Sequence, residues 1–193
     1  MSLLSIVTVS STTRDLPDVA VRRPARDVTE SELRHPWFFT FVGDMFETLY
    51  ATQGGIGLAA TQVGVLLRVT VVALRDGTAP LVLVNPTYEP VGDALEVLDE
   101  RCLSVPDFAG AVGRFAEIRA RYLDYRGRPC DASATGLLAR VMQHEIDHLD
   151  GTLYVDRIPD KSGIRSESGG FPARQAQQTM DDLLTMESNV SSG

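Results

Sequence analysis

The segment Gln143-His144-Glu145-Ile146-Asp147-His148 holds two histidines four residues apart. On a helix that spacing puts both imidazoles on one face, where they can grip a single metal ion. Glu145 stands beside the first histidine, placed to take a proton from water activated by the ion without ligating the ion itself. Leu137, Leu138, Val141, Met142, Ile146 and Leu149 recur at helical spacing. The pattern predicts an amphipathic core helix over 131–150. Asp131 or Ser133 is the candidate N-cap, and Gly151 the candidate stop. Alone, the two histidines also fit an ordinary helix surface with no metal.

A catalytic ion that keeps one position for water needs a third protein ligand. Cys102 is the candidate, at the end of a strand-like run in Glu100-Arg101-Cys102-Leu103-Ser104 and before the turn-like Val105-Pro106-Asp107. A free cysteine is more often a small buried hydrophobe; the histidine pair is what raises its standing. Cys130 has no such company and reads as structural. A third stretch, Gly55-Ile56-Gly57-Leu58-Ala59-Ala60-Thr61-Gln62, has small residues that let a ligand approach the backbone closely. Gln62 adds a neutral amide donor. A phosphate-binding loop would follow a strand and open a helix; this one precedes a strand.

These groups need elements to carry them. Residues 1–28 read as an extended arm packed on the body, with turns at Leu16-Pro17-Asp18 and Arg23-Pro24. Thr29-Glu30-Ser31-Glu32 resembles a capping box, and Pro36 interrupts or restarts the helix it opens. Trp37 and the phenylalanines that follow it, together with Val42, Met45 and Leu49, predict a helix with a buried face. Strands are expected over 67–75, 81–85 (closed by Pro86), 95–103 and 117–125, with a last short strand at Tyr154-Val155. From 160 the chain turns polar and linker-like, with a weak helix over 172–187. The expected division is a catalytic domain over 1–159 and a tail over 160–193.

With 193 residues, 44% of them hydrophobic and 23% charged, the chain suits one domain with a real core. A formal net charge of −8 argues against direct nucleic-acid binding and against an anionic membrane surface. Two cysteines make no disulfide framework. Neither a signal peptide nor a run long enough to cross a bilayer is read, so the expected setting is cytoplasmic.

The three stretches together resemble the peptide deformylase family, whose signatures are Gly-x-Gly-Leu-Ala-Ala-x-Gln, Glu-Gly-Cys-Leu-Ser and Gln-His-Glu-x-Asp-His. They stand in that order at 55–62, 100–104 and 143–148. The resemblance implies an α+β fold of mixed, mainly antiparallel sheets around a central metal-binding helix. It also implies one divalent ion held by Cys102, His144 and His148, with Fe(II) the expected metal and zinc, nickel or cobalt as substitutes. Glu145 is then the general base and acid. Gln62 and the backbone N–H of Leu103 stabilise the oxyanion. An apolar pocket of Ile56, Leu98, Leu137 and Val141 takes the first side chain, with Gly55, Gly57, Glu100 and Arg101 also contacting substrate. The implied substrate is an N-formyl-methionyl peptide, with weak ribosome association possible. The alternatives are a deformylase for a small formamide metabolite and a catalytically silent metal- or peptide-binding relative. A zinc endopeptidase would need a downstream ligand, and no histidine follows His148. Two positions depart from the usual family pattern: Thr61 where proline is usual, and Arg101 where glycine is usual. Arg101 is expected to narrow the cleft or reach a substrate carboxylate, and Arg114 to pair with Glu100.

Overall fold

Valine-rich, nearly alternating runs make the first sheet. Among residues 2–9 and 19–166, which the computed structural model describes, five antiparallel strands lie in the order β1 (Gly57–Ala59), β2 (Val69–Val72), β3 (Leu81–Pro90), β6 (Glu117–Leu123) and β7 (Pro129–Thr135). Every residue of β2 is buried, because both faces of this sheet are covered. Val69 and Val71 pack with Phe38, Met45 and Leu49 of helix α2 (Pro36–Ala51). Val72, Leu83, Ile118 and Ala120 pack with Ala139, Val141 and Met142 of helix α3 (Gly136–Leu149).

The second sheet has three antiparallel strands, β4 (Leu95–Cys102), β5 (Val105–Phe115) and β8 (Ile164–Ser166), with β5 in the middle. Its inner side joins Cys102, Val105 and Val112 to Leu153, Tyr154, Val155 and Ile158, and to Val9 and Val21 of the N-terminal arm. The α+β expectation therefore holds, with α3 lying between the two sheets.

Helix α1 (Glu30–Leu33) opens with the expected capping box: Thr29 Oγ1 accepts from Glu32 N at 3.3 Å, and Glu32 Oε2 accepts from Thr29 N at 2.9 Å. Pro36 restarts the chain as the first residue of α2, and His35 caps it, its Nδ1 accepting from Trp37 N at 3.2 Å. Trp37 is not core. It is 37% exposed, and Phe39 is 47% exposed, because both flank Phe38 and point away from the stripe of Phe38, Val42, Met45 and Leu49 that faces the sheet.

Several expectations need correction. The helix over 131–150 begins at Gly136; residues 129–135 are β7, paired along its whole length with β6. Asp131 and Ser133, the supposed caps, are strand residues, and Asp131 hydrogen-bonds Arg119 across the pair at 2.6 Å. The N-cap is Thr135, without a side-chain capping bond. β3 runs past Pro86 to Pro90 because Asn85 adopts a left-handed conformation (φ 51°), and the ladder to β6 is irregular between Val84 and Thr87. A proline without a donor is tolerated at such an interruption. Tyr154–Arg157 is a 3-10 turn and not a strand. The turn expected at 105–107 is Leu103-Ser104, and β5 begins at Val105. The body continues past residue 159 into β8. The helix expected over 172–187 lies outside the described residues, as does the first arm turn.

Candidate metal centre

Strand β7 enters α3 through Gly136, whose φ of 55° makes the corner, a conformation that a Cβ would strain. About two turns later α3 presents His144 and, one turn on, His148, whose rings meet edge to face with centroids 4.8 Å apart. Gly151, with φ 73°, closes the helix end, its N–H donating to His148 O at 3.2 Å. The stop was legible as a glycine; its close fit was not, since a Cβ there would lie 2.6 Å from the Arg22 carbonyl oxygen.

Cys102 ends β4, where the β4–β5 ladder shifts register after Glu100. The irregularity and the two-residue turn that follows aim its sulfur inward. Sγ lies 3.2 Å from His148 Nε2 and accepts from Ser104 N at 3.3 Å and from Gln62 Nε2 at 3.6 Å. One donor atom from each of Cys102, His144 and His148 falls within 4.8 Å of the others. Tetrahedral ligands around a shared zinc-sized ion stand roughly 3.3–3.8 Å apart, so this donor set fits one small divalent cation after a slight adjustment. The set is also chemically right, with one soft sulfur and two imidazoles, Cys102 and His148 buried and His144 partly open to the cavity.

Second-layer contacts fix the rings. His144 Nδ1 is 2.8 Å from Glu100 Oε2, which leaves Nε2 for the centre. The His144 ring also stacks on Tyr154 at 6.2 Å. Burial lowers the His144 pKa, but hydrogen bonding to Cys102 and Glu100 outweighs it and carries the value well above normal. For His148 burial dominates, helped by His144, and pushes the pKa well below normal. His148 Nδ1 is buried without a hydrogen-bond partner.

Glu100 lines the cavity beside the three donors and is held by a set of buried partners. Its carboxylate takes Arg114 Nε and Nη2 at 2.8 and 2.9 Å and Arg140 Nη1 at 2.7 Å. Burial raises its pKa, but Arg114 and His144 hold it far below the usual carboxylate range. Arg114 Nη1 reaches Asp147 Oδ2 at 2.5 Å, and Asp147 also binds Arg157. The Arg114–Glu100 pair was expected. Arg140, Asp147 and Arg157 were missed, although a charged residue set into the apolar stripe of α3 was a signal for the first two. The arm was also undervalued: Val7 N donates to Gln62 O at 2.7 Å and Val9 N to Ser104 O at 2.8 Å.

Beside the three donors lies a cavity of about 270 Å³, open at one side. Gly55, Ile56 and Gly57 form one wall, Arg101 and Leu103 another, and Leu137, Val141, His144 and Glu145 of α3 the floor. Gln62, 1% exposed, lines it too; its Oε1 accepts from Ala59 N at 2.8 Å, which turns Nε2 toward Cys102 and Ser104. Leu98, expected in this pocket, is 54% exposed on β4 and is not among the lining residues. Glu145 is buried, and that burial raises its pKa to about 7; Oε2 has no hydrogen-bond partner. Gly57 makes room for it, since a Cβ there would sit 2.9 Å from Glu145 Cγ and Cδ.

The family profile described as Polypeptide deformylase matches residues 12–164. The chain is 44% identical over 147 residues to a peptide deformylase of Chromohalobacter salexigens, covering 75% of this chain and 83% of that protein. It resembles the actinonin-bound crystal structure of a class I type b peptide deformylase from Acinetobacter baumannii (TM-score 0.72, 31% identity, 82% of this chain and 99% of that one). The Met-Ala-Ser-bound structure of the Acinetobacter enzyme matches similarly (TM-score 0.72, 29% identity, 81% and 100%).

Proposed function

Because the chain belongs to the peptide deformylase family, we infer that it is a hydrolase that removes the formyl group from N-formyl-methionyl peptides and releases formate. The observation that carries the reading is the convergence of Cys102, His144 and His148 beside Glu145, at the end of a cavity. In this proposal the three side chains hold one divalent ion, Fe(II) in the cell, with zinc, nickel or cobalt able to replace it. When bound, such an ion supplies Lewis acidity and makes water a competent nucleophile near neutral pH.

The protein's own groups do the rest. Water adds to the formyl carbon as Glu145 takes its proton. Gln62 Nε2 and the N–H of Leu103 donate to the oxygen that gains charge. The C–N bond then breaks, and Glu145 returns the proton to the departing amine. A carboxyl held near pH 7 by burial is matched to both halves of that exchange. The methionine side chain enters between Ile56, Leu137 and Val141. The peptide backbone lies between β1 and β4, each the last strand of its sheet among the described residues, as an added strand. The peptide-bound Acinetobacter neighbour supports a peptide ligand. We place the enzyme in the cytoplasm, with weak ribosome association, acting on nascent chains.

The test is formate release from formyl-Met-Ala-Ser by protein of known metal content, before and after chelation. Release that stops on chelation and returns with Fe(II) is expected; no release from the metal-loaded protein overturns the assignment.

A further inference from the structure

We propose that Thr61 is a positioning residue for hydrolysis, its hydroxyl fastening the turn that carries Gln62 to the helix that carries both histidines. Thr61 is fully buried, and Oγ1 donates to the main-chain carbonyl of His148 at 3.1 Å. That carbonyl belongs to the last turn of α3 and already accepts from Gly151 N at 3.2 Å, so the hydroxyl fills its second lone pair. A buried hydroxyl needs an acceptor, and this one finds it on a residue that also supplies an imidazole to the metal centre.

The 3-10 turn Ala60–Val63 is held from several directions. Gln62 Oε1 accepts from Ala59 N, at the end of β1 that leads into the turn. Gln62 O accepts from Val7 N of the arm. Of these hydrogen bonds, that of Thr61 is the one that reaches α3. It ties the turn to α3, as the Gln62 Nε2 contacts to Cys102 Sγ and Ser104 Oγ tie it to the end of β4, while the Ala59 bond sets the amide's rotation. An oxyanion donor acts only if its N–H meets the oxygen in the transition state, and small misplacements are costly there. Loosening the turn therefore lowers kcat, while substrate binding along β1 and β4 and the metal ligands stay in place.

The inference rests on Gln62 acting as the oxyanion donor, and the experiment separates the two ideas. Thr61→Val removes the hydroxyl at nearly constant shape, Thr61→Ser keeps it, and Gln62→Ala removes the donor. Each metal-loaded variant, and the Thr61→Val/Gln62→Ala double variant, is assayed for kcat and KM on formyl-Met-Ala-Ser, for bound metal and for Tm. Expected is a roughly five- to tenfold fall in kcat for Thr61→Val, the worth of one neutral hydrogen bond. KM and metal content are unchanged, and Thr61→Ser restores most of the rate. In the Gln62→Ala background the Thr61→Val substitution has no further effect. The proposal is overturned by an unchanged kcat in Thr61→Val, by Thr61→Ser being equally impaired, or by additive losses in the double variant. Should Thr61→Val not fold, Thr61→Ala is put through the same cycle and judged by the same outcomes. If Gln62→Ala alone keeps full turnover, the oxyanion assignment fails first and this inference falls with it.

Discussion

Two sets of ion pairs in this protein use the same chemistry in opposite settings. Under the metal centre, Glu100, Arg114, Arg140 and Asp147 interlock with side chains only 3–7% exposed. On the outer face of the five-stranded sheet, Arg119 pairs with Asp131 and Arg121 with Glu89, with side chains 42–65% exposed. The buried set cannot exchange a lost partner for water, so each member is held by the others. The surface set can. Charge that is enclosed builds a frame for the ligands, whereas charge that is wet mainly keeps the sheet soluble.

The largest expected effect probes Glu145, a buried carboxylate that stands outside the frame. Glu145→Ala removes a group whose burial is uncompensated at Oε2, so turnover falls by roughly 10²–10⁴-fold with no loss of Tm or of metal. A fall in Tm like that of the frame variants would put Glu145 inside the frame. Next, Arg114→Met strands Glu100 and Asp147 together and costs about 3–5 kcal/mol of stability, read by denaturant unfolding. Survival with unchanged stability would erase the contrast between the two sets. A steric version compares two glycines. Gly57→Ala drives a methyl into Glu145, costing about 1–3 kcal/mol and lowering kcat. Gly113→Ala meets only Val97 Cγ2 at 3.9 Å and leaves both as they were; equal effects would deny Gly57 its role.

The smallest effects belong to the surface. Arg119→Ala leaves Tm and activity unresolved from the parent; a clear Tm loss would mean that the exposed ladder is structural after all. Asp131 titrates below its ordinary value, chiefly through its hydrogen bond to Arg119. The pair's contribution is therefore present above the unfolded-state pKa and fades as pH falls through the folded one. Because the pair is exposed, 1 M salt should move the Asp131 midpoint, followed by NMR, back toward normal. A midpoint that ignores salt would mark a sheltered pair.

What could be read in the sequence follows from range. The capping box at Thr29, the proline start of α2 and the histidine spacing on α3 are local, and each stands where its own neighbours put it. The three motifs pointed to Cys102, His144 and His148, which the fold brings together, because their chemistry is unusual at any distance. The start of α3 was misplaced because Asp131 and Ser133 look like caps to a local reading, while cross-strand pairing with Arg121 and Arg119 decided their state. β5 was overlooked because glycines and Pro106 weaken its strand pattern, and β4 and β8 supply its pairing from elsewhere in the chain. The hydrogen bonds from Val7 and Val9, and the one from Thr61, link residues far apart in sequence, and no spacing rule encodes them.

The cleft between β1 and β4 has a consequence for handling the protein. Among the described residues both strands leave main-chain donors and acceptors on one side without a ladder, and β4 shows Leu95 and Val97 on its surface, 59% and 65% exposed. Such ribbons invite a second copy to zip on. A tight-binding peptide mimic would therefore act as a plug against self-association, and concentrated stocks should stay clear longer with it present.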